Sequence, residues 1–140
     1  MANVYTNEAT GYWDNGTWKA LTDTYPDRIR LTYTVEYNSS TKKYDLKWAL
    51  YGNNSHGKGP SYPNRWTYYY SCSITIDGTE TTVISSSTQV SHDELLKSGT
   101  KSFSSGTSAK SVAISVTSQI YTPGQTTGLC TLSTTATIPR

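Results

Sequence analysis

Between residues 27 and 37 apolar and polar side chains alternate, with Ile29, Leu31, Tyr33, Val35 and Tyr37 on one side and Arg28, Arg30, Thr32, Thr34 and Glu36 on the other. Period two sends successive side chains to opposite faces of an extended chain, so this segment reads as a strand with one face in a core and one in water. Asn38-Ser39-Ser40-Thr41 interrupts with turn formers, and alternation resumes as Tyr44, Leu46, Trp48 and Leu50 against Asp45, Lys47 and Ala49, which predicts a hairpin. Segment 66–76 turns Tyr68, Tyr70, Cys72, Ile74 and Ile76 inward on the same reading. Asp77-Gly78 then marks a tight turn, and 81–85 a short return strand. One place reads as helix: Ser91-His92-Asp93-Glu94 fits a capping box, and Leu95-Leu96-Lys97-Ser98 leads to a stop at Gly99, ahead of a short strand at 101–104. Val112, Ile114 and Val116 alternate within 110–120, and Cys130, Leu132, Thr134 and Ala136 within 127–137. Thr122-Pro123-Gly124-Gln125 separates these two strands, and Pro139 ends the second, since proline cannot donate to a ladder.

Seven or eight short strands with turn signals between them predict an all-β fold, an antiparallel immunoglobulin-like β-sandwich, with an open barrel as the alternative. The 140 residues suit one domain, 1–140, of which 1–26 is a less regular, aromatic-rich N-terminal segment. The longest irregular stretch, 52–65, holds three Gly, two Pro and three Asn and reads as a loop of the length that often carries function.

Composition changes what such a core must be made of. There are 24 Thr and 19 Ser, while Leu, Ile, Val and Phe together number only 22, so the 12 Tyr and 4 Trp are the natural source of missing apolar area. That arithmetic predicts a core built largely from rings, with Tyr33, Tyr44, Trp48, Tyr68 and Tyr70 in phase for it. Tyr12, Trp13, Trp18, Tyr51, Tyr62, Trp66 and Tyr69 fall outside that phase or beside the long loop. A flat ring flanked by Asn, Asp or Arg can stack on the apolar face of a sugar while its neighbours bind hydroxyls, or can anchor a protein contact; packing at the sandwich ends competes for the same rings. The candidate ligand contacts are therefore Trp13, Trp18, Tyr62, Asn64, Arg65 and Trp66.

Other chemistry finds less support. No apolar run approaches the roughly 20 residues that span a bilayer, so no membrane insertion is expected. The first residues lack the basic start and apolar run of a secretory signal. Twelve Lys and Arg, scattered singly apart from Lys42-Lys43, with a net charge of +2, are too few and too dispersed for nucleic-acid binding. Cys72 and Cys130 lack the close spacing of a zinc site, and either pair across the two sheets or stay as buried small hydrophobes. Asp14-Asn15-Gly16 with Asp23 and Asp27 lacks the spacing of a calcium loop. His56 and His92 stand in no nucleophile motif and no Gly-x-Ser-x-Gly elbow is present, so a non-enzymatic chain without cofactor or metal is the expectation.

The order of landmarks resembles a family of tail proteins from long-tailed phages of Gram-positive hosts. The resemblance is carried by Ile29-Arg30-Leu31-Thr32-Tyr33-Thr34-Val35, by Asp45-Leu46-Lys47-Trp48-Ala49-Leu50-Tyr51, by Ser73-Ile74-Thr75-Ile76-Asp77-Gly78, by Leu96-Lys97-Ser98-Gly99-Thr100 and by Lys110-Ser111-Val112-Ala113-Ile114-Ser115-Val116. Its closing part is Thr131-Leu132-Ser133-Thr134-Thr135-Ala136-Thr137-Ile138-Pro139-Arg140, similar to the Thr-rich strand and Ile-Pro-Arg with which that family ends a sandwich module. Where the family often has a His-Asn-x-Asp-Gly turn, this chain has Ser104-Ser105-Gly106-Thr107-Ser108. The resemblance implies a virion component, a tail or tail-fibre module assembled in the host cytoplasm and acting outside the cell, as a structural spacer or in host-surface adhesion. Its implied partners are other virion proteins, host cell-surface polysaccharide and further copies of itself. The rival readings are a carbohydrate-binding module of a bacterial secreted protein and a self-assembling capsid-decoration protein.

Overall fold

The computed structural model describes residues 12–14, 17–19, 29–52, 67–90, 94–121 and 128–139, with side-chain surroundings for 29–52, 69–90, 94–119 and 131–139. Its elements are β1 (Tyr12–Asp14), β2 (Thr17–Lys19), β3 (Ile29–Asn38), β4 (Lys43–Gly52), β5 (Thr67–Ile76), β6 (Thr79–Ile84), β7 (Thr88–Val90), β8 (Glu94–Ser104), β9 (Lys110–Tyr121) and β10 (Gly128–Ile138). All pairings are antiparallel and form two sheets, β3-β4-β8 and β2-β1-β10-β9-β5-β6, with β7 joined to β5. Leaving aside the three-residue strands, the seven longer ones fall in the A-B-E against G-F-C-C′ order of an immunoglobulin-like sandwich.

The turns follow from their residues. Asp77 and Gly78 have φ of 51° and 83° between the paired Ile76 and Thr79, the two-residue type I′ connection whose twist matches its strands. At the β3–β4 turn Asn38 Oδ1 accepts from the Ser40 and Thr41 amides at 3.0 and 3.2 Å, while its Nδ2 donates to Asp45 Oδ2 at 3.1 Å. The two sheets are also tied by polar contacts. Tyr33 Oη donates to the Thr135 carbonyl at 3.2 Å, and Lys101, on edge strand β8, sends its Nζ to the Ile76 carbonyl and Thr79 Oγ1, each at 3.4 Å. A lysine directed inward from an edge hinders pairing with another chain.

The core differs from the ring-built one that composition predicts. Among the described residues it holds fourteen Leu, Ile and Val but only four rings, Tyr33, Trp48, Tyr69 and Phe103. The scarce aliphatics are concentrated inside, where each contributes about 1.5–3 kcal/mol by leaving water. Tyr44 is half-buried, and Tyr37 reaches solvent with its ring edge against Tyr44 at 5.1 Å between centroids.

Two further expectations are corrected by β-bulges. Tyr69 pairs with Ile120 and Ser71 with Gln119, so Tyr70 is an extra residue in β5 and the phase of the strand reverses there. Tyr69, out of phase by simple alternation, is fully buried, whereas Tyr70, predicted inward, is 38% exposed. The helical turn predicted around 91–99 is instead the start of β8, in which Leu96 is the extra residue opposite β4 between Leu50 and Tyr51. Ser91, His92 and Asp93 lie outside the described residues. Gly99, read as a helix stop, pairs with Trp48, and a Cβ there would stand 2.8 Å from Trp48 Cζ2. The glycine is present because the indole lies across it, and pairing with a core tryptophan outweighs a short local helix signal.

Cys72 and Cys130 both pair with Ser118, from opposite sides of β9. They therefore belong to one sheet with a strand between them, about 10 Å apart by strand spacing, too far for a disulfide. Cys72 is a buried free thiol, as the second of the two open alternatives has it.

Candidate functional site

Directly opposed residues of antiparallel strands share a face, so the register assigns faces row by row across the larger sheet. In β9, Val112, Ile114, Val116 and Ser118 are buried, while Ser111, Ala113, Ser115, Thr117 and Gln119 are exposed. The outer face is thus a hydroxyl-rich surface, and one of its rows is Thr82, Ser73, Thr117 and Thr131. The adjacent row reads Trp18, Trp13, Leu129, Gln119 and Ser71 across β2, β1, β10, β9 and β5. Two of the sequence-nominated aromatics, Trp13 and Trp18, are thereby register partners at the opposite end of the row from the β5 bulge, and their side chains lie outside the described ones. Tyr70, which the bulge turns to solvent, stands next to Ser71.

The smaller sheet has an outer row at the same end of the sandwich. Arg30 pairs with Tyr51, and Tyr51 with Leu95. The Arg30 guanidinium carbon lies 4.3 Å from the Tyr51 ring centroid, a cation–π contact, and Leu95 is 52% exposed beside it. Tyr51 is thus off the core face, as its phase predicts, whereas nothing in the pattern singles out Leu95, because it lies inside the supposed helix. Gly52, which opens the 52–65 stretch, ends β4 at this pole, paired with Ile29 and Glu94. Tyr62, Asn64, Arg65 and Trp66 lie outside the described residues.

The charges of the described surface are small-scale and structural. Lys47 meets Glu36 at 3.2 Å and Lys110 meets Asp77 at 3.0 Å, both in solvent, where such pairs contribute little. Asp45 accepts from Ser102 Oγ at 2.7 Å as well as from Asn38, and these hydrogen bonds, Ser102 first, hold its carboxyl below the ordinary value. Burial pushes the Cys72 thiol up to about 11, which leaves it protonated and a poor nucleophile. The adjacent Ser118 hydroxyl acts weakly in the opposite direction, although its buried oxygen makes no aligned hydrogen bond among the described residues. Among those residues no group of three or more His, Cys, Asp or Glu is placed to hold a metal ion.

Comparisons with protein-family models, curated proteins and solved structures give no match to this chain.

Proposed function

We propose that the chain is a non-enzymatic structural module of a phage virion, in a tail or tail fibre, whose exposed aromatic end contacts glycan on the host surface. The observation that carries this reading is the division of labour among the rings. The described core closes with fourteen Leu, Ile and Val and four rings, while Tyr37 and Tyr70 reach solvent. Flat rings held on a rigid sheet suit recognition of a repeating surface polymer. The virion assignment rests on the sequence landmarks, and those within the described residues fall on β3, β4, the β5–β6 turn, β8, β9 and β10. The test is immunogold electron microscopy of purified phage particles with antibody raised against this chain. Label at the tail supports the reading. Label on the capsid favours a decoration protein, and label on a secreted bacterial enzyme with none on particles favours a carbohydrate-binding module; either overturns it.

A further inference from the structure

The smaller sheet has two edges, and they differ. β8 is guarded by the bulge at Leu96 and by Lys101, whose Nζ reaches inward to the Ile76 carbonyl. β3 has neither device. Its ten residues run against β4 in one unbroken register, include no Gly or Pro, and place only Ile29, Leu31, Tyr33, Val35 and Tyr37 in phase with the core. Among the described residues no strand pairs with β3 on its other side. A long, regular edge of this kind is a template for a further strand. Its outer face reads Arg30, Thr32, Thr34, Glu36, an order complementary to itself when two copies run antiparallel. With Tyr33 opposite Tyr33, Arg30 of each copy falls opposite Glu36 of the other and Thr32 opposite Thr34, both favourable cross-strand pairs. Sliding one copy by two residues puts Arg30 opposite Thr34 or Asn38 instead, and an odd slide sets core positions against outer ones.

We propose that two copies of this chain join through β3, antiparallel about a two-fold axis at Tyr33, so that the two smaller sheets become one sheet of six strands. The contact is isologous, the same edge serving both copies. New ladder hydrogen bonds hold the copies together, and the two Arg30–Glu36 pairs fix the register. Within each copy the Arg30 guanidinium lies over Tyr51, and Glu36 meets Lys47 at 3.2 Å. Both residues stay part-exposed, so the pairing between copies adds to those contacts. Tyr37, 39% exposed although it keeps the core phase, comes to lie opposite Ile29 of the second copy. The proposal is independent of the virion and glycan readings.

The experiment is sedimentation equilibrium of the full chain over a wide range of concentration, for wild type, Arg30→Glu, Glu36→Arg and an equimolar mixture of these two variants. Either variant alone sets like charges opposite each other twice, whereas one copy of each restores both opposite-charge pairs. The expected result is a wild-type dimer, weakened about tenfold or more in each single variant and recovered in the mixture as a dimer holding one copy of each. Recovery in the mixture is an outcome that a loss of the Tyr51 or Lys47 contact within one chain does not produce. Should either variant fail to fold, Thr34→Lys sets a lysine on the joining edge of each copy and is expected to weaken the dimer to a similar degree. A wild-type chain that stays monomeric throughout overturns the proposal. So does a dimer that the charge changes or Thr34→Lys leave intact, or a mixture of folded variants that stays monomeric.

Discussion

Gly99→Ala isolates the packing of the smaller sheet. The new Cβ would lie 2.8 Å from Cζ2, 2.9 Å from Cε2 and 3.0 Å from Nε1 of Trp48, where carbon atoms normally rest at about 3.5–4.0 Å. Trp48 is a rigid bicycle, 7% exposed, in a row with buried Tyr33, so it has little room to yield. Overpacking of this kind costs about 1–3 kcal/mol. The alanine recovers about 0.4–1 kcal/mol by restricting the unfolded chain. The net expectation is a loss of about 1–2 kcal/mol, read as a lower urea midpoint at unchanged slope. A Trp48→Leu background removes the indole, and there the alanine penalty should vanish, giving a coupling of about the same size. A penalty equal in both backgrounds, or none in wild type, would refute the claim that the glycine exists to admit the ring.

Other positions separate further effects. Gly78→Ala meets nothing within 4 Å but sits at φ +83°, so its cost of about 1–2 kcal/mol is backbone strain alone, and Trp48→Leu should leave it unchanged in the same urea melts. Asn38→Ala removes the one oxygen that accepts from the Ser40 and Thr41 amides and the donor to Asp45, for an expected loss of about 1–2 kcal/mol by thermal or urea unfolding. Because the Asp45 carboxyl is held below its ordinary value, its contribution is present at neutral pH and lost as pH falls through the folded value. Ser102→Ala should therefore destabilise at pH 7 and progressively less in acid, and an undiminished difference in acid would contradict this. Cys72, raised to about 11, favours the fold below the ordinary thiol range and loses that contribution as pH rises toward 11. In a Cys130→Ser variant, native protein should resist a disulfide labelling reagent at pH 8 until denaturant is added.

What was legible from sequence was the local alternation. The β3–β4 hairpin and the β9–β10 pair follow from period two, because each strand there keeps one phase throughout, and the Asp77-Gly78 turn follows from its residue types alone. Phase is lost at a bulge, and bulges depend on cross-strand partners far away in sequence. That is why Tyr69 and Tyr70 exchange places and why the segment carrying Leu96 and Gly99 reads as helix. The same limit applies to the site. Trp13 and Trp18 stand out by falling outside any strand phase, but their register with Leu129, Gln119 and Ser71 depends on pairing with β10 and on the β5 bulge. The aliphatic count misleads for a different reason: composition says how much apolar area exists, and only the fold says how efficiently it is placed.

We propose that rings outside the described core contact a host surface. This is tested most directly by binding of the fluorescently labelled chain to intact Gram-positive cells before and after their wall polysaccharide is stripped. Saturable binding to host cells that stripping abolishes is the expected result. Failure to bind any such cells, or binding that stripping leaves unchanged, would contradict it.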